Sequence, residues 1–218
     1  MKKFFLSALM AVAALSASAE QPAGGLSLTP HASMGFAIAS EKMLDTFDGY
    51  ITAMVGVEAT YKPTDLLGLS VGLDYGYGST ITETRKEGGY EADAYLTHYL
   101  LSVPVLAQLH FGKFAVKAGI QPGWVISPEG HVEWKATEKH DYDFSSKFDG
   151  KLKDEVNSFQ CSIPVGICYS PSFPLQFDLR YNIPLTEYLK EEVANASNDH
   201  FKLGSIMLTV GYHFDFGR

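Results

Sequence analysis

From Leu67 to Gly78 the chain alternates without exception. Leu67, Leu69, Val71, Leu73, Tyr75 and Tyr77 occupy the odd positions, and the even positions hold only Gly, Ser or Asp. A period of two specifies an extended strand with one apolar face and one lean polar face. A helix would scatter the same residues around its circumference. The pattern recurs along the chain and predicts eight strands, at about 28–39, 50–61, 67–78, 94–111, 114–126, 158–169, 175–185 and 201–216.

The connections alternate in length. Lys62-Pro63-Thr64-Asp65, Gly112-Lys113 and Pro171-Ser172-Phe173-Pro174 read as tight turns. Residues 41–49, 79–93, 127–157 and 187–200 read as long polar loops. Up-and-down connectivity explains the alternation, with short turns at one end and long loops at the other. Pro104 falls inside the predicted fourth strand, which implies a bulge or local distortion there.

Two closed architectures fit eight such strands, and they differ in which face points inward. Five or six large apolar residues on each of eight strands give roughly forty-five side chains, whereas a small barrel interior holds about three layers of four. The apolar set therefore belongs outside, against lipid. The Gly-, Ser-, Thr- and Gln-rich set lines the lumen. Aromatic residues fall in two groups that suit the two bilayer interfaces: Tyr61, Phe111, Phe114, Tyr169, Phe177, Phe214 and Phe216 near the short turns, and Tyr75, Tyr77, Tyr95, Tyr99 and Trp124 near the long loops. The fold expected is an all-β, eight-stranded antiparallel up-and-down transmembrane β-barrel, closed because an open edge in lipid would leave backbone groups unpaired. By analogy with bacterial barrels, the short turns are periplasmic and the long loops extracellular.

Composition sets further bounds. The 218 residues contain no apolar run long enough for a membrane-spanning helix. A formal net charge of −8 argues against a nucleic-acid partner. Lys2 and Lys3, the apolar stretch Phe4 to Leu15 and the small-residue pattern Ala17-Ser18-Ala19 read as a signal peptide over 1–19, leaving 20–218 as the barrel domain. The two cysteines, Cys161 and Cys168, lie seven positions apart in one predicted strand, about 23 Å and beyond disulfide reach.

Several short motifs resemble the PorT-like outer-membrane β-barrel family. Tyr99-Leu100-Leu101-Ser102-Val103-Pro104-Val105-Leu106 resembles its YLxIPLL strand, and Phe114-Ala115-Val116-Lys117-Ala118-Gly119 its yvkaGp strand. Phe177-Asp178-Leu179-Arg180-Tyr181-Asn182 with Pro184-Leu185-Thr186 resembles its ldlrYnxGLT element, and Gly211-Tyr212-His213-Phe214 its closing strand. Pro184 stands where that family often has Gly, and the chain ends Phe216-Gly217-Arg218 rather than on an aromatic residue. The resemblance implies a small bacterial outer-membrane barrel.

The predicted lumen holds Glu58, Asp74, Lys117, Asp178 and Arg180, with Gln108, Gln121, Asn182 and His98 on the same face. Charges in a narrow low-dielectric interior must pair, so these residues are expected to form a salt-bridged polar network that fills the barrel. In the 127–157 loop, Trp134, Tyr142, Phe144 and Phe148 interleave with charges and are the candidates for contact with an extracellular ligand or protein. His131, Glu133, His140, Asp141 and Asp143 match no defined metal-site spacing, and neither metal nor cofactor is expected. His110-Phe111-Gly112 and His213-Phe214-Asp215 lack a Ser two places on from the His, and no Gly-x-Ser-x-Gly elbow occurs. An enzyme is not expected. The functional expectation is a monomer in contact with outer-membrane lipid and lipopolysaccharide, acting structurally or through its surface loops. The alternative is a small transport or ligand-binding barrel using the charged lumen, which planar-bilayer conductance would separate from the first.

Overall fold

A computed structural model describes residues 25–39, 47–82, 85–87, 90–136, 146–151, 156–190 and 202–216. The described strands are β1 (Leu26–Ala39), β2 (Phe47–Tyr61), β3 (Leu67–Thr82), β4 (Arg85–Glu87), β5 (Tyr90–Ser102), β6 (Val105–Phe111), β7 (Phe114–Ala136), β8 (Ser146–Lys151), β9 (Phe159–Tyr169), β10 (Leu175–Pro184), β11 (Leu203–Tyr212) and β12 (Phe214–Phe216). All pairings are antiparallel. The wall runs β1, β2, β3, then β5 with β6, then β7, β9, β10 and β11, and β11 returns to β1 through the register His31↔Gly211 to Ala39↔Leu203. Counting β5/β6 as one stave and β11/β12 as another gives a closed barrel of eight.

The alternation expected from sequence sets the sidedness. Phe36, Met34, Val55, Leu69 and Ile167 face outward, with Phe36 65% and Leu69 54% exposed. Ser70, Asp74, Ser102, Gln108 and Lys117 are buried on the opposite face. The aromatic groups meet across staves at both ends. Phe114 and Tyr169 ring centroids are 4.9 Å apart near the short turns, and Tyr75 stacks on Tyr99 at 5.9 Å near the long loops.

The predicted fourth strand is divided at Val103-Pro104, where the backbone leaves the ladder and Pro104 points into the lumen, fully buried. The gap is bridged rather than left open: Gly72 N–H donates to Pro104 O at 2.8 Å and Val103 N–H to Pro122 O at 2.9 Å. The predicted last strand is likewise divided at His213. At the Gly112-Lys113 turn, Gly112 has φ +63°, a conformation that disfavours a Cβ.

Among the described residues, two of the expected loops are instead largely strand. The 127–157 segment, read as irregular, carries β7 on to Ala136 and contains β8, paired from Glu129↔Lys151 to Trp134↔Ser146. The 79–93 segment carries β3 to Thr82, then β4 and the start of β5. The sequence reading stopped β7 at Ile126 because Ser127-Pro128 looks like punctuation. It is a bulge: Thr97 pairs Glu129 while Tyr99 pairs Ile126, and Ser127 adopts φ +47°. A bulge bends a strand without ending it. Residues 41–49 also lose Phe47 to Gly49 to β2. Cys161 and Cys168 are both free and lie on opposite faces of β9, as an odd separation requires; Cys168 is buried in the lumen.

β6 and β7 approach closely at Gly119. A Cβ there would strike the carbonyl oxygen of Val105 and lie 2.9 Å from Leu106 Cα, both backbone atoms that cannot step aside. Gly119→Ala is therefore expected to destabilise the refolded barrel by about 1–3 kcal/mol, measured by urea unfolding in lipid. An unchanged midpoint would contradict the close approach.

Candidate functional site

The lumen narrows at four charged side chains from three non-adjacent staves. Each is aimed inward by the strand alternation that turns its neighbours out to lipid. Lys117 on β7 places Nζ 2.8 Å from Glu58 Oε1 on β2 and 3.1 Å from Asp178 Oδ2 on β10. Arg180, two residues along β10 from Asp178, places Nε 3.3 Å from Asp178 Oδ1 and Nη2 3.6 Å from Glu58 Oε2. Two cations and two carboxylates thus close a ring with no net charge. Gln108 completes it by donating from Nε2 to Glu58 Oε1 at 3.2 Å and to Ser70 Oγ at 2.9 Å. All five side chains are buried, Lys117 at 2% exposure.

Glycines stand opposite three of the ring residues. Glu58 lies opposite Gly72, and Lys117 and Arg180 both lie opposite Gly166. A side chain at Gly166 would meet Leu179 O at 2.6 Å and Arg180 Cα at 3.1 Å. At Gly72 the space is taken instead by Pro104, whose Cγ would lie 2.8 Å from a Cβ.

Of the five residues singled out from sequence for the lumen network, four are brought together. Asp74 pairs instead with His31, which lies beside the ring: Asp74 Oδ1 lies 2.9 Å from His31 Nε2, while His31 Nδ1 lies 3.2 Å from the Thr29 carbonyl oxygen. Gly56 lies between, and a Cβ there would strike Asp74 Oδ1. His31 was not among the site residues chosen from sequence. Its place on the polar face of β1 was the available signal, and its partner 43 positions away was not.

Towards the long-loop end the lumen is closed by an apolar cap of Val125, Val156 and Tyr188, with Leu96, Leu100, Leu189 and Leu203 packed on it. Tyr188 Oη lies 3.0 Å from His98 Nδ1, and Asn157 N–H donates to Tyr188 O at 2.9 Å. Between cap and ion ring is a cavity of about 90 Å³, and a second of about 10 Å³ lies against the ring, lined by His31, Glu58, Lys117, Asp178 and Arg180. Among the described residues no group of three or more His, Cys, Asp and Glu side chains is arranged to hold a metal ion. Of the loop candidates, Trp134 lies in β7 opposite Ser146 and Phe148 in β8 opposite Val132. Tyr142 and Phe144 lie outside the described residues, as do His140, Asp141 and Asp143 of the acidic loop motif.

No curated protein matches the sequence. Solved structures do. Ail, the attachment invasion locus protein of Yersinia pestis, is 12% identical over 88% of this chain and 100% of that one, with a TM-score of 0.41. Neisserial surface protein A is 12% identical over 89% and 100%, with a TM-score of 0.41. A major outer membrane protein from Thermus thermophilus is 12% identical over 87% and 99%, with a TM-score of 0.45. The family described as outer membrane protein beta-barrel domain matches residues 5–214. With the closed eight-stave wall, the apolar exterior and the ion-filled lumen, that match makes this chain a member of the outer-membrane protein β-barrel family, resident in the bacterial outer membrane.

Proposed function

We propose that this is a closed barrel that works at the cell surface through the sheet standing above its long-loop end. One observation carries the reading. Past Ser127, β7 continues for nine residues to Ala136, roughly 30 Å of strand, paired with β5 as far as Tyr90↔Ala136 and with β8 on its other side. β4 completes a four-stranded order β4-β5-β7-β8. Among the described residues, β8 pairs with β7 alone. An unpaired strand edge held clear of the bilayer offers a row of backbone donors and acceptors to an extended segment of another protein. The neutral ion ring and the small residual volumes support a lumen that is filler rather than conduit, which is why transport ranks second. The first 19 residues serve as the export segment in this reading, the barrel acts as a monomer, and its strand motifs place it with the PorT-like group.

The test is the sidedness of that sheet. Trypsin applied to intact cells is expected to cut after Lys147 or Lys151 and to leave the barrel staves whole. A photo-crosslinker at position 148 is expected to capture a protein partner, with none captured from position 208. Cleavage only after the outer membrane is opened would place the sheet on the inner side and end the surface reading.

A further inference from the structure

The sheet above the long-loop end stops at β8, and the residues of β8 restrict what can be added to it. Among the described residues β8 pairs with β7 alone. The register sets Lys147 opposite Glu133, Phe148 opposite Val132 and Asp149 opposite His131. Alternation puts Lys147, Asp149 and Lys151 on one face of the sheet and Ser146, Phe148 and Gly150 on the other. Lysine on an edge strand ordinarily blocks a further strand. An aspartate between two lysines changes that, because it makes the edge complementary to itself in one register.

That register follows from backbone geometry. Successive residues of a strand turn their N–H and C=O groups to opposite edges, so two copies of one edge pair antiparallel only about a residue, not about a peptide bond. Two such registers overlap five of the six residues of β8. Centred on Asp149, the pairing sets Lys147 against Lys151 twice and Asp149 against itself. Centred on Phe148, it sets Lys147 against Asp149 twice, Ser146 against Gly150 twice and Phe148 against itself. The second register also carries through β7. Across the two copies one row reads Glu133, Lys147, Asp149, His131, and the next reads Val132, Phe148, Phe148, Val132. Opposite charges or apolar residues set directly across from each other stabilise a ladder, and like charges destabilise it.

Strand direction places the second copy. Reversing β8 also reverses β7 and the barrel it rises from. Barrels in one membrane stand the same way up and tilt their strands by about 35–45°. A two-fold neighbour in the same membrane would therefore cross β8 rather than run antiparallel to it. The copy that fits stands in a facing membrane.

Resting on the surface reading of this sheet, we propose that the β8 edge is a homophilic contact. It pairs with β8 of a second copy of this chain in an apposed membrane, antiparallel and centred on Phe148, while each barrel stays a monomer in its own bilayer. The test uses lipid vesicles carrying many copies of the full chain in both orientations, since multivalency makes a weak pairing visible as turbidity. Parent vesicles are expected to adhere. Lys147→Asp and Asp149→Lys each set two like-charge pairs across the contact, and each is expected to slow adhesion at least about tenfold. Vesicles of the first variant mixed with vesicles of the second are expected to adhere to each other, because every exchanged charge then meets its opposite. The doubly exchanged chain is expected to adhere to itself and not to the parent. A photo-crosslinker at position 148 is expected to yield dimers between parent vesicles, a readout that needs no charge exchange. Parent vesicles that stay apart, single variants that adhere as the parent does, or a mixture and a double variant that both stay apart would overturn the proposal. The surface reading fails by a different measurement, the reach of trypsin to Lys147 on intact cells. A crosslink from position 148 on those cells to some other protein, with parent vesicles apart, would leave that reading standing and remove the second copy.

Discussion

Replacing Lys117 by methionine is expected to lower the unfolding free energy of the lipid-embedded barrel by about 3–5 kcal/mol, the usual cost of removing one partner from a buried ion pair. Lys117 bridges both carboxylates of the ring, at 2.8 Å to Glu58 and 3.1 Å to Asp178. Without it, two buried carboxylates share one guanidinium, whose contacts are longer at 3.6 and 3.3 Å. The loss therefore exceeds what a pairwise contact is worth, because it strands charge where water cannot reach. The double variant Lys117→Met with Glu58→Gln restores one cation to one carboxylate and is expected to recover much of the stability. Urea unfolding in lipid vesicles, followed by tryptophan fluorescence, measures both. A single variant within about 1 kcal/mol of the parent would mean that the ring is solvated and the lumen wet.

The second large effect is on the outer face. Leu208, midway along β11 between Leu179 and Met34 on the flanking staves, is 49% exposed and looks into hydrocarbon. Leu208→Arg is expected to cost about 2–4 kcal/mol in the same unfolding measurement, whereas Leu67→Arg, beside the 62–66 turn and so near the interface, is expected to cost about 0–1 kcal/mol. The contrast matters more than either value, because a depth-dependent penalty is the mark of a bilayer. Equal penalties at the two positions would mean that the apolar face meets something other than a membrane.

The two predictions differ in how far each was legible from residues alone. Leu208 was placed outward by alternation and by volume: too many large apolar side chains for an eight-stave interior, and a lean polar set that fits one. Lys117, Glu58, Asp178 and Arg180 were placed inward by the same rule. That Pro104 would disturb its stave also followed from its missing N–H and locked φ. The rule fails where a local cue has two meanings. Ser127-Pro128 looks like a strand end and is a bulge, and the charged stretch after it looks like loop yet stays paired from Glu129 to Ala136, because the partner strands β5 and β8 satisfy its backbone.

Side-chain periodicity is a property of neighbours in sequence, so it was enough to determine the eight staves, their two faces and which face meets lipid, but not how far the strands run beyond the barrel. Which charge meets which is a property of register between staves far apart in sequence. Asp74 reaches His31 because the register of β1, β2 and β3 places both opposite Gly56, whose missing side chain leaves the space between them. Tyr188 caps the lumen only because a strap after β10 folds back onto β9. Those pairings depend on barrel closure, which fixes every stagger at once and leaves no trace in a single strand.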